Sequence, residues 1–226
     1  MGEPGERVTV RIVSSCDLSH PLVTGIPTYP DDPDVSIRPA TTIAGEGYNV
    51  AHVSMGSQSG THIDAPFHFI QEGLTIDKFP PEIFVGEAAI ADVRGLSRHA
   101  EIGADAIPQP IKPGGILLIH TGWSEYWGSD QYFAHPFVSA SAAERIVALG
   151  YQAMGIDALS VDQTEGNTSN FAAHDIILGA NIPIAENLRG LSGIVWDRPW
   201  VSLLPLRIGD GDGAPIRAVA FELEHD

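Results

Sequence analysis

A chain of 226 residues that is 43% hydrophobic has enough apolar material for one large core, and its formal charge of -17 repels phosphate backbones. No stretch approaches the roughly 18 consecutive apolar residues of a membrane span, and the opening "MGEPGERVTV" has neither the basic start nor the apolar run of a secretory signal. Glu6 stands where a myristoylation site has Ser or Thr. The single cysteine, Cys16, excludes an intramolecular disulfide and reads as a small buried side chain in a reducing compartment. The expectation is one domain over residues 1–226, cytoplasmic, with no nucleic-acid or membrane partner.

The 24 glycines and 17 prolines punctuate the chain throughout, as in proteins of many strands joined by irregular loops. Apolar runs predict strands over 7–13, 49–55, 87–93, 115–121, 152–158, 182–187 and 216–222. Several are continuously apolar, which fits strands covered on both faces. In "SASAAERIVALGY" the pair Ser141 and Glu144 predicts a capping box, and Gly150 is placed to stop the helix. In "SNFAAHDIILGAN" Ser169 or Asn170 is the expected cap and Gly179 the terminator, with His174 on the helix. A helix feeding a short strand makes the class α/β.

The chemistry concentrates in "SQSGTHIDAPFHF", residues 57–69. In an extended segment Gln58, Gly60, His62 and Asp64 share a face, and Gly60 leaves room beside its neighbours for an ion. Pro66 breaks strand pairing, so the chain can turn and bring His68 back. Imidazole nitrogen with carboxylate oxygen suits zinc or manganese better than calcium or magnesium; the alternative is a polar turn. "HDIILGANIPIAENL" adds His174 and, after the apolar "IPIA", Glu186. A carboxylate at the end of such a strand needs a partner, which a metal would supply, unless it is a surface Glu beside a turn.

With these residues in view, the chain resembles the putative cyclase family of metal-dependent hydrolases, which includes kynurenine formamidases and isatin hydrolases. The family pattern His-x-Gly-Thr-His-x-Asp-x-Pro-x-His is matched by Gln58-Ser-Gly-Thr-His62-Ile-Asp64-Ala-Pro66-Phe-His68. "DLSHPL", "PTYPDDP", "GGILLIHTGW", "MGIDALSVD", "IPIAENL" and "LLPLRIGDGDGAPIRAVA" extend the likeness nearly end to end. The resemblance implies a β-rich α/β fold, layered β/β/α, with mixed sheets around a metal site. It also implies a homodimer or homotetramer, with loops of neighbouring subunits near the site. His62 and Asp64 would be metal ligands. His68, His174 and Glu186 would serve a second ion or move protons, with zinc or manganese as the metal. Gln58 departs from the pattern, since a carboxamide oxygen is a weaker ligand than imidazole. Asp31 departs from the glycine of many relatives.

The implied activity is cleavage of an amide C–N bond of a small molecule, an aryl formamide or a cyclic amide such as isatin, by metal-activated hydroxide, with His68 or His174 carrying the proton. Tyr29 and Trp123 are candidates for an aromatic substrate wall, or else ordinary packing. Thr61 reads as a hydrogen-bonding support, and no Gly-x-Ser-x-Gly elbow suggests a serine hydrolase. His20 and His120 have no assigned chemistry, while His52 and His99 read as structural or exposed. Lactone hydrolysis or cyclisation on the same site is one alternative, and a non-catalytic metal- or ligand-binding protein is another.

Overall fold

The computed structural model describes residues 9–164 and 170–225. In chain order the strands begin with β1 (Val10–Asp17), β2 (Ser36–Thr41), β3 (Val50–Ser54), β4 (His62–Asp64), β5 (Val85–Asp92), β6 (Glu101–Ile102) and β7 (Ile116–His120). They continue with β8 (Phe137–Val138), β9 (Ala153–Ile156), β10 (Ile184–Glu186), β11 (Trp200–Ser202), β12 (Gly213–Pro215) and β13 (Val219–His225). The α-helices are α1 (Ile43–Glu46), α2 (Ala140–Ala148) and α3 (Ala172–Gly179). Among the described residues, no helix is long and apolar enough to cross a membrane.

Nine strands form one mixed sheet in the order β1-β13-β11-β5-β7-β9-β10-β4-β12. Its centre, β5-β7-β9-β10, is parallel, and antiparallel strands flank it on both sides. This is the expected β-rich α/β architecture. Two small sheets, the β2–β3 hairpin and the parallel β6–β8 pair, stand apart.

The central strands alternate between two cores. Leu117 and Ile119 of β7 join Met154, Ile156 and Ile184 against Ala143 and Ile146 of α2 and Ile177 and Leu178 of α3. Ile116 and Leu118 turn to the other face with Ile63, Ala153 and Ala185. Burial on both faces explains why these segments read as unbroken apolar runs.

Several boundaries differ from the sequence expectation. β1 runs on through Ser14 and Ser15, because its ladder to β13 continues past a register shift between Ile12 and Ser14. Its side chains are largely solvent-facing, so polar residues need not end it; residues 7 and 8 lie outside the described residues. The cap of α2 is Ser139, whose Oγ accepts from Ala142 N, and Ser141 sits inside the first turn. Gly150 does follow the helix in a left-handed conformation. At α3 the N-cap position is Phe171, with no side-chain bond of its own. Asn170 does not cap it, and Ser169 lies outside the described residues. The Asp162 carboxylate takes over, accepting from Ala173 N and His174 N. Cys16 is half-buried, its thiol donating to Gly190 O.

Pro66 opens a single 3-10 turn, Pro66–His68, immediately after β4. That turn closes against Gly73, where a Cβ would lie 2.5 Å from Pro66 C, 2.7 Å from Phe67 N and 2.8 Å from Ile70 O. All three neighbours are backbone, so none can rotate aside. Gly73→Ala should therefore lower the unfolding free energy by about 1–3 kcal/mol, as overpacking typically does. Urea denaturation measures it, and an unchanged midpoint would mean that the turn yields freely.

Candidate metal centre

The site grows from the antiparallel pairing of β4 with β10 and β12. Glu186 lies opposite His62, and Ile184 opposite Asp64. Ile63 and Ala185 point into the core on the far face, so His62, Asp64 and Glu186 emerge together on the face that carries α2 and α3. One ligand atom from each of these three buried residues lies within 4.8 Å of the others.

Each flanking imidazole is held by its Nδ1. His62 Nδ1 is 2.8 Å from Gly60 O, and His174 Nδ1 is 2.7 Å from Asp162 Oδ2. Both acceptors demand a proton on Nδ1, which leaves Nε2 aimed at the carboxylates and free to ligate. His62 Nε2 stands 3.4 Å from Asp64 Oδ1 and 3.6 Å from Glu186 Oε2. His174 Nε2 stands 3.5 Å from Asp64 Oδ2 and 3.4 Å from Glu186 Oε1. Each carboxylate thus shows one oxygen to each ring, so both would be available, with the two imidazoles, to hold a cation. Glu186 Oε1 also accepts from Val161 N at 2.7 Å, which fixes the side chain at the end of β10.

Asp64 is 1% exposed, yet among the described residues neither of its oxygens finds a hydrogen-bond donor. A buried carboxylate without donors is costly unless a cation faces it, so these residues fit a divalent metal. The electrostatics agree. Burial resists charge on His62, but Asp64 and Glu186 outweigh it and push the imidazole up to about 9. Burial likewise resists ionisation of Asp64, yet His174 and His62 hold its pKa below the ordinary carboxylate range. The cluster attracts positive charge.

Gln58 and His68 stand beside this group. The strand expected over Gln58 to Asp64 forms only from His62, because Gly60 adopts φ 66°. Gly60 leaves no room for an ion either: a Cβ there would come within 2.7 Å of Leu22 Cδ2. Gln58 instead donates from Nε2 to Asp212 Oδ2 at 2.8 Å, and Ser57 Oγ donates to Asp212 Oδ1 at 2.8 Å. The 3-10 turn does bring His68 back, with Nδ1 3.5 Å from Asp212 Oδ2 and 30% of the side chain exposed. His68 holds the Asp212 carboxyl down to about 2, helped by Ser57 and Gln58.

A cavity of about 250 Å³ opens over the group. Tyr29, Phe69 and Phe171 give it aromatic walls, and Gln58, His62, His68, His174 and Glu186 supply its polar floor. Phe69 stacks on His174 with ring centroids 4.4 Å apart. Trp123 does not line this cavity. Its indole packs in the helix-side core beside Tyr126 and donates from Nε1 to Gln131 O. Thr61 supports the site as expected, donating to Asn187 O at 2.7 Å and accepting from His20 N at 2.9 Å. Sequence reasoning missed Asp162, Asp212 and Asn187. Asn187, at φ 56°, donates to Gly60 O and accepts from Tyr132 OH. The glycine-flanked acidic run around Asp212 was one available signal, and the place of Asp162 at the end of "MGIDALSVD" was another.

A family model described as putative cyclase matches residues 16–163. The chain belongs to the putative cyclase family. A kynurenine formamidase of Erythrobacter litoralis is 31% identical over 212 residues, covering 92% of this chain and 93% of its own. A predicted metal-dependent hydrolase from Bacillus stearothermophilus superposes with a TM-score of 0.75 at 26% identity, covering 96% of this chain and 99% of that one. Isatin hydrolase A from Labrenzia aggregata, bound to benzyl benzoate, shares the fold with a TM-score of 0.82 at 22% identity, covering 94% and 93%. This member of the cyclase family is therefore related to metal-dependent hydrolases through most of its length.

Asp64→Asn keeps the shape of the side chain and removes its charge from between two imidazoles. The variant should fold and lose at least about tenfold in metal affinity. Metal titration of the purified protein measures this, and wild-type affinity would place Asp64 outside the ligand set.

Proposed function

We propose that this protein is a metal-dependent amidohydrolase that cleaves the C–N bond of an aryl formamide or a cyclic amide such as isatin. The observation that carries the reading is the buried, donor-free Asp64 between His62 and His174, beneath an aromatic-walled cavity. The kinship with a kynurenine formamidase over nine-tenths of both chains favours amide over ester substrates.

The ligand set is His62, Asp64 and Glu186, completed by His174 and Gln58, with zinc or manganese as the ion. When bound, a divalent cation supplies an acidified water and a polarised carbonyl. The chain's own residues do the rest. Tyr29, Phe69 and Phe171 bind the aromatic part of the substrate and keep water from the reacting bond. His174, tied through Nδ1 to Asp162, holds its Nε2 fixed toward Asp64 and Glu186. His68, at the rim and partly exposed, is the group placed to carry a proton at Nε2 to the leaving nitrogen.

Assembly is proposed on a different observation. The β2–β3 hairpin and its α1 link turn Ile43, Tyr48, Val50 and Val53 to solvent, at 47% to 66% exposure. A hairpin with so much apolar surface suits a contact between copies. Light scattering should give a mass of two or four times the 24.1 kDa chain, and a monomer at micromolar concentration would refute it.

A strong chelator should abolish hydrolysis, and zinc or manganese should restore it. A screen of aryl formamides, cyclic imides, isatin and lactones then sets the substrate class, with turnover expected on the amides. Full activity in metal-free protein, or turnover of lactones alone, would overturn the proposal.

A further inference from the structure

Gln58 occupies the position where the family pattern has histidine, and its surroundings say which way its carboxamide points. A carboxylate only accepts hydrogen bonds. The 2.8 Å contact with Asp212 Oδ2 therefore fixes the NH2 end of Gln58 toward Asp212 and turns Oε1 the other way. Oε1 is buried and has no hydrogen-bond partner among the described residues, the same condition as both oxygens of Asp64. Gln58 also lines the cavity that His62, His174 and Glu186 line.

Asp212 is itself anchored to the ligand strand. Its carbonyl accepts from Ala65 N at 2.8 Å, and the next residue, Gly213, pairs with Asp64. Glycine is required there, since a Cβ at Gly213 would lie 2.7 Å from the backbone oxygen of Ile63, and it would also crowd the Gln58 carboxamide, 2.7 Å from Nε2 and 2.8 Å from Oε1. Ser57 occupies the other oxygen of Asp212, so the carboxylate cannot swing away from Gln58 without losing that bond.

We propose that Asp212 is a positioning residue which holds the Gln58 carboxamide by its nitrogen and so presents Oε1 to the metal group as a neutral oxygen ligand. The inference rests on the metal-binding reading of the site. Its chemical consequence is a donor set richer in oxygen than one headed by imidazole, which narrows the advantage of zinc over manganese.

The test is a double-mutant cycle read in metal affinity, not in turnover. Manganese(II) and zinc(II) are titrated into metal-free wild type, Gln58→Ala, Asp212→Ala and the double variant. Asp212→Ala should weaken manganese binding by about tenfold when Gln58 is present and by less than about twofold when it is not, because the two residues act as one unit. Equal losses in both backgrounds, or no loss in the first, would overturn the inference. If Asp212→Ala is too unstable to titrate, Asp212→Asn takes its place in the cycle. Its amide cannot accept from both Ser57 and Gln58, so the same dependence on Gln58 is expected and the same outcomes overturn it. A wild type that binds neither ion would sink the metal reading itself, whereas a wild type that binds while the variants match it would sink only the role of Asp212.

Discussion

A carboxylate buried to 1% exposure, with no backbone or hydroxyl donor among the described residues, is the constraint to which the neighbourhood answers. Removing an ionised carboxylate from water costs several kcal/mol after relaxation, and Asp64 recovers this only from positive charge. Both neighbours able to supply it are imidazoles, each with Nδ1 already committed to a carbonyl or a carboxylate. Gly60 O and Asp162 therefore act on Asp64 without touching it, by deciding which nitrogen faces it. The same geometry that makes protons welcome at His62 makes a cation welcome among the three side chains.

The sheet makes this possible by separating its faces. Ile63 between His62 and Asp64, and Ala185 ahead of Glu186, send apolar side chains into one core and leave the polar ones on the other face. The polar face is then roofed by Phe69, Phe171 and the start of α3, where Asp162 both caps the helix and grips its first imidazole. One carboxylate thus ties the helix terminus, the loop after β9 and a candidate ligand into a single unit.

The site was legible in the sequence where chemistry forces residue type at short range. His62, Asp64 and His68 lie within seven residues, and Glu186 stood out because it ends an apolar run. The supporting carboxylates were not legible, because their bonds span the chain: Asp162 meets His174 at a separation of 12 residues, and Asp212 meets Gln58 at 154. At Trp123 the alternative of ordinary packing, left open by the sequence, is the one the structure shows. Its block resembled a site neighbour, but the indole is spent on a local bond to Gln131 and on packing. The long buried strands were visible as apolar runs, whereas β4 and β12, three residues each, are too short to show a period and exist through pairing. At α2 two serines competed, and Ser139 prevailed because only its hydroxyl reaches Ala142 N.

The alternation of Ile63 with His62 and Asp64 has a kinetic corollary. A structural zinc knot is held shut by its ion and collapses when the ion leaves. Here the side chains that aim the candidate ligands are backed by the hydrophobic core on the opposite face, so the register of β4 and β10 rests on strand pairing and on that core. The ordering entropy of the site is met during folding and not at each encounter with an ion. A protein built this way would exchange a cation as a folded object, with its affinity set by the donors and by the residues that hold them in place.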